Sequence, residues 1–192
     1  TIRYPATPEA PSGATRSAIV NALGQITQVT DELGYATGYS YDAMGRLSNI
    51  AWPTGDSTVW SNTSRSFVKV NVAEFGLPAG HWRLTESTGN RVKDTYYDGL
   101  WRPVLTRERD AASSATTRYV KRSFDAWGRE TFVSYPSASS FPGTGTWTLY
   151  DALGRPTSVS QDSELGLLTT STQYLPGLRT QVTNPRGYQT HT

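Results

Sequence analysis

The chain has 192 residues with 18 basic and 16 acidic side chains, and its formal charge of only +2 leaves no electrostatic footprint for nucleic acid. It contains no cysteine, which excludes a disulfide framework and a thiolate metal site, and no apolar stretch long enough for a membrane-spanning helix. A mean hydropathy of −0.50 with 11 Tyr and 6 Trp against a single Met describes a surface-rich protein with many half-exposed aromatic faces.

Residues 1–15, with Pro5, Pro8, Pro11 and Gly13, read as an extended lead-in or linker. The opening Thr1-Ile2-Arg3-Tyr4-Pro5 has neither Met nor a signal peptide, so the chain is expected to be a processed product or a piece of a longer polypeptide. Residues 16–192 read as one β domain. Two turn signals, Asn21-Ala22-Leu23-Gly24 and Asp31-Glu32-Leu33-Gly34, lead to Tyr41-Asp42-Ala43-Met44-Gly45-Arg46. In 53–85 the pattern is lost. There Pro53, Gly55, Gly76, Pro78 and Gly80 surround the alternating strand Phe67–Val72, as in a diverged repeat or an insertion.

From 86 onward the pattern returns. Tyr97-Asp98-Gly99-Leu100-Trp101-Arg102 puts Trp where the other copies have Gly, while Phe124-Asp125-Ala126-Trp127-Gly128-Arg129 and Tyr150-Asp151-Ala152-Leu153-Gly154-Arg155 are complete. A fifth copy, Tyr174-Leu175-Pro176-Gly177-Leu178-Arg179, keeps only its ends. Weaker turn signals alternate with these at Glu86–Gly89, Asp162–Gly166 and Asn184–Gly187, and the Ser/Pro-rich stretch 135–145 reads as a projecting loop.

The aromatic positions 97, 124, 150 and 174 are 27, 26 and 24 residues apart, and position 41 lies 56 before 97, close to two periods with one copy missing. A period of this size marks a repeat architecture, in which each unit buries its apolar face only against its neighbours. Asp-x-x-Gly has the composition of a tight turn: Asp hydrogen-bonds the backbone two residues on, and Gly accepts positive φ. Each copy is therefore a β-hairpin tip, and turns every 10–12 residues between Thr/Val/Tyr/Ser-rich segments give an all-β antiparallel meander. Stretches polar on both faces, such as Thr116–Phe124, suit a wide curved strip better than a packed sandwich.

These motifs resemble the YD repeats of the Rhs and wall-associated proteins, the cocoon subunits of insecticidal toxin complexes and the teneurins. The resemblance covers roughly 16–192 apart from 53–85. It implies tandem antiparallel hairpins forming a curved strip or one arc of a β-shell, with Tyr41, Asp42, Gly45, Arg46, Tyr97, Asp98, Arg102, Phe124, Asp125, Gly128, Arg129, Tyr150, Asp151, Gly154 and Arg155 as the structural repeat residues. It further implies a non-catalytic segment of a large exported polypeptide, extracellular or at the cell surface, that encloses or displays another domain. Partners would be neighbouring repeats, copies of the chain joined through open sheet edges, an enclosed toxin domain or glycans. The aspartyl self-cleavage motif of many Rhs shells is not recognisable; Asn184-Pro185-Arg186-Gly187 reads as another turn.

No catalytic group, metal or cofactor is expected. His81 and His191 are the only histidines and read as a strand residue and a terminal residue, and neither a Gly-x-Ser-x-Gly elbow nor a phosphate loop occurs. The repeated aspartates could pair as acid and base, but their place before x-x-Gly gives each a turn role. The arginines are expected to stack on the previous hairpin's aromatic or to pair with a neighbouring Asp. Trp101 and Trp127, inside hairpin tips, are the candidate glycan-stacking residues of an alternative reading as an extracellular ligand-binding module.

Overall fold

The computed structural model describes residues 1–8, 12–55 and 57–192, and among them every regular element is a β-strand. In chain order these are β1 (Ile2–Tyr4), β2 (Ala14–Val20), β3 (Ile26–Thr30), β4 (Ala36–Tyr41), β5 (Leu47–Ala51), β6 (Thr63–Val70), β7 (His81–Thr88) and β8 (Arg91–Tyr97). They are followed by β9 (Pro103–Asp110), β10 (Ser113–Phe124), β11 (Glu130–Ser134), β12 (Gly145–Tyr150), β13 (Pro156–Ser163), β14 (Gly166–Leu175), β15 (Arg179–Thr183) and β16 (Gln189–His191). Strand order in the sheet equals chain order, so the protein is a run of tandem antiparallel hairpins whose sheet stays open at β1 and β16.

The chain divides into two compact units, Thr1–Val68 with Arg83–Lys93, and Lys69–Trp82 with Asp94–Thr192. In the first unit β1 to β6 pair in succession, and Ile2–Tyr4 lies against Ala14–Arg16, so part of the stretch 1–15 forms a strand. In the second, β9 to β16 pair in succession. Register shifts fall at Ser40/Tyr41, Ser123/Phe124 and Leu149/Tyr150, each at the aromatic that precedes an Asp-x-x-Gly turn. An extra residue in left-handed conformation after a type I turn forces this shift and strengthens the local twist.

Most strand positions are half-buried, as expected of a sheet with polar residues on both faces. The buried core of the second unit lies instead beside the connection between β6 and β7. Tyr96 is fully buried, Asp94 and Leu105 nearly so, and Phe75 sits edge-on to Tyr96 with ring centroids 5.2 Å apart. Asp94 is shielded from water and is satisfied by Arg107, whose Nε and Nη2 donate to Oδ2 at 3.0 and 2.7 Å. The guanidinium also lies 5.7 Å from the Phe75 ring centre, so its outer face is covered by an aromatic.

The stretch 135–145 does not project. The Tyr119 and Ser137 backbones exchange both hydrogen bonds, the Tyr135 amide donates to Thr144, and Phe141 lies against Gly76. The backbone bridge to Tyr119 and the buried Pro142 hold this polar loop back on β10, with Phe141 still largely exposed beside Gly76.

Candidate functional site

The repeated site is a turn clasp, best seen at Asp125–Arg129. The Gly128 amide donates to the Asp125 carbonyl at 3.0 Å and the Asp125 amide to the Arg129 carbonyl at 3.0 Å, which closes the hairpin. Carboxylate Oδ1 accepts from the Trp127 and Arg129 amides at 2.9 and 3.0 Å, while Oδ2 accepts from Arg129 Nε at 2.6 Å. One aspartate thus satisfies two backbone donors that the tight turn leaves without ladder partners, and it orients the arginine.

The same bonds recur at Asp42–Arg46, Asp98–Arg102 and Asp151–Arg155. At Asp98 the position of positive φ belongs to Trp101, at φ 64, so the motif's displaced Gly99 does not relieve it. Asn21, Asp31 and Asn184 make the same pair of Oδ1 contacts, which makes Asn184-Pro185-Arg186-Gly187 a turn of the same kind.

These bonds act on the carboxylates. Donation from the Arg46 backbone and side chain holds Asp42 below its ordinary value of 3.8, and the Arg155 backbone bond leads at Asp151. At Asp98 and Asp125 burial pushes upward, and the combined donation from Arg102 or Arg129 and the turn amides outweighs it. All four aspartates are thereby held as ionised acceptors. Their geometry gives each a complete structural role, the opposite of the raised, poised carboxyl that acid catalysis needs.

The arginines link successive hairpins. Arg129 lies 4.7 Å from the ring centre of Tyr150, and Arg155 lies 3.9 Å from that of Tyr174. Arg102 covers Phe124 at 5.0 Å and Arg46 covers Phe67 at 4.9 Å. The ring is therefore the following hairpin's aromatic rather than the previous one's, and pairing with the arginine's own Asp accompanies the stacking. Arg102 and Arg129 each also donate from Nη1 to the carbonyl of the next turn's aspartate, at 3.2 and 3.0 Å. The Tyr150 and Tyr174 hydroxyls reach back to the carbonyls of Glu130 and Pro156, the residues that follow the stacked arginines.

Phe67 carries no Asp-x-x-Gly after it and so gives no motif signal, although it stands 26 residues after Tyr41 and occupies the missing period. Gln25 takes the arginine's place in the first turn, donating to the Gly45 carbonyl at 2.9 Å, a substitution that only the fold reveals. Of the candidate tip tryptophans, Trp127 is 80% exposed with the Arg129 guanidinium 4.9 Å from its ring, whereas Trp101 is stacked on Trp82 at 5.4 Å and remains 56% exposed. His81 is buried at the start of β7, between the Pro78 carbonyl and the Glu74 carboxylate, and His191 lies in β16.

A ladder of identical clasped hairpins defines a β-hairpin repeat protein. Residues 20–56, which hold the turns at Asn21, Asp31 and Asp42, match the family described as RHS Repeat. That match covers 37 of the 192 residues, all within the first unit. No curated protein matches it in sequence.

Among solved structures, the Tc holotoxin pore of Photorhabdus luminescens, carrying a TccC3 mutation, matches 95% of this chain at 16% identity and a TM-score of 0.61. The crystal structure of TcdB2-TccC3-TEV matches 93% at 16% identity and a TM-score of 0.60. Both share the fold. The present chain spans about a tenth of the length of either matched chain, 10% in each case.

Proposed function

We propose that this chain is a non-catalytic structural segment of a larger Rhs/YD-repeat polypeptide, exported from the cell, that forms part of a β-shell or scaffold around or beside another domain. The observation that carries the reading is the clasp. At Asp98, Asp125 and Asp151 both carboxylate oxygens are engaged by the turn, and the matching arginine is committed to the next hairpin. Side chains used in this way build a strip and leave its chemistry to flanking domains. Coverage of only 10% of each structurally similar chain supports the same conclusion.

The test is to isolate the natural polypeptide from its source and measure its mass and the protease resistance of its flanks. A product several times larger than 21.1 kDa with a flanking domain protected until the strip is cut supports enclosure. A free product near 21.1 kDa in the cytoplasm overturns it.

The exposure of Trp127 favours a second reading, glycan recognition at the hairpin tips. On a glycan array, binding that disappears in Trp127→Ala supports this reading, and an array with no bound glycan removes it.

A further inference from the structure

Two segments of the second unit depart from the hairpin repeat, the β6–β7 connection and the stretch 135–145. They meet over β9 and β10, where Phe141 lies 3.6 Å from the place that a Cβ on Gly76 would take. Insertions in a repeat array gather on one face, often the one that binds.

The connection is pinned by a tight turn. The Glu74 and Leu77 backbones exchange hydrogen bonds at 3.2 and 2.9 Å, with Phe75 and Gly76 between them at φ 54 and 78. Such a left-handed pair is the usual place of Asn-Gly, and a phenylalanine there is strained. The Phe75 ring offsets the strain by packing on Tyr96 and Tyr119, with centroids 5.2 and 5.7 Å away. It also forms one wall of a hollow.

The hollow has a volume of about 280 Å³, near the ~300 Å³ of the smallest ligand pockets. Its walls are Phe75, Leu77, Val104, the buried Leu105 and the largely exposed Phe141. Two cations also line it, and among the described residues no carboxylate does. Arg122 is already held by Glu130, with Nε 3.1 Å from Oε2. Lys121 stands opposite Leu105 in the β9–β10 ladder, is half-buried, and has no acidic partner among the described residues. An ammonium beside aromatic walls is short of a counter-ion.

We propose that this hollow binds a small free carboxylic acid with an aryl or alkyl body. Its carboxylate sits on Lys121, and its body lies between Phe75, Leu105 and Phe141. The Ser123 and Ser140 hydroxyls also line the hollow, have no protein partner among the described residues, and can donate to the same carboxylate. An inorganic anion would leave the apolar walls in water, and an uncharged apolar molecule would desolvate Lys121 without pairing it. Every wall belongs to the second unit, so the inference stands apart from the scaffold reading and from whatever flanks the chain.

Ligand-observed saturation-transfer NMR on the polypeptide expressed with its natural flanks tests the proposal, with phenylacetate as the probe. Saturable binding with a dissociation constant of about 1 mM or below is expected. Phenylacetamide and phenethylamine keep the shape without the negative charge and should bind about tenfold more weakly or worse. Lys121→Met should raise the constant for phenylacetate about tenfold. Phe141→Ala, an exposed position that leaves the fold intact, should raise it several-fold, and Arg186→Met in a distant turn should leave it unchanged. Absence of saturable binding overturns the proposal, and so does equal affinity for phenylacetate and phenylacetamide. Affinity unchanged in both Lys121→Met and Phe141→Ala places the probe elsewhere and overturns it too. Binding of N-acetylphenylalanine that is tighter than that of phenylacetate overturns the free acid in favour of a peptide terminus.

Discussion

Within the second unit, the turn ladder and the cluster beside the β6–β7 connection are stabilised in opposite ways. At Asp125 and Asp151 most of the contacts close within five residues of chain, the side chains are half-buried or exposed, and one pattern is copied from turn to turn. Around Asp94 and Tyr96 the partners come from positions as distant as Phe75 and Arg107, and among the described residues the arrangement occurs once. The deepest burial thus lies beside the stretch in which the repeat is lost. A strip of shallow hairpins has little volume to exclude water, and a longer connection folded over one strand pair supplies it.

This contrast orders the expected effects of mutation. Arg107→Met should be the most damaging, because it removes two charged donors from the buried Asp94 carboxylate; a loss of about 3 kcal/mol in urea unfolding is expected. The Asp94→Leu/Arg107→Met double variant should recover much of that loss, and failure to do so would mean that the ion pair is not what the core depends on.

Gly145→Ala should follow at about 1–3 kcal/mol, since its new Cβ would stand 2.2 Å from the Val133 carbonyl oxygen, a backbone atom that cannot swing away. Gly154→Val in the ladder should cost about 1–2 kcal/mol from its φ of +81° alone, with Arg129 3.6 Å away as the nearest obstruction. A melting curve in which Gly154→Val exceeds Arg107→Met would reverse the ranking of the two regions.

The smallest effect is shared by all four clasps. Asp42, Asp98, Asp125 and Asp151 titrate below 3.8 in the folded chain, so near that pH the unfolded chain binds more protons than the folded one. Their stabilisation is complete above the unfolded value and disappears as pH falls through the lowered one. The urea midpoint should therefore drop between about pH 5 and pH 2, with a shallower slope in Asp151→Asn. An unchanged slope would remove Asp151 from the account.

Part of this architecture is legible in the amino-acid sequence. Asp125-Ala126-Trp127-Gly128 specifies its turn because the carboxylate, the two amides and the glycine are neighbours in the chain, and the chemistry that closes the hairpin is local. The direction of the arginine stack is not legible there. Arg129 meets Tyr150 rather than the preceding aromatic because the pairing of consecutive hairpins, not the spacing of residues, decides which ring lies beneath a guanidinium. The stretch 135–145 reads as projecting because its composition is Ser, Pro and Gly, yet the Tyr119–Ser137 bridge and the buried Pro142 bring it back to the sheet.

The strand class, the turn positions and the resemblance to YD repeats follow from residue order alone, since a repeated local signal survives divergence of everything between its copies. Long-range packing, in contrast, was needed to establish that Phe67 completes the stack on Arg46, that Asp94 is buried against Arg107, and that Phe75, Lys121 and Phe141 line one hollow. Each of these joins residues far apart in the chain, and such neighbours are fixed by strand pairing and by the exclusion of water, neither of which a short window of residues encodes.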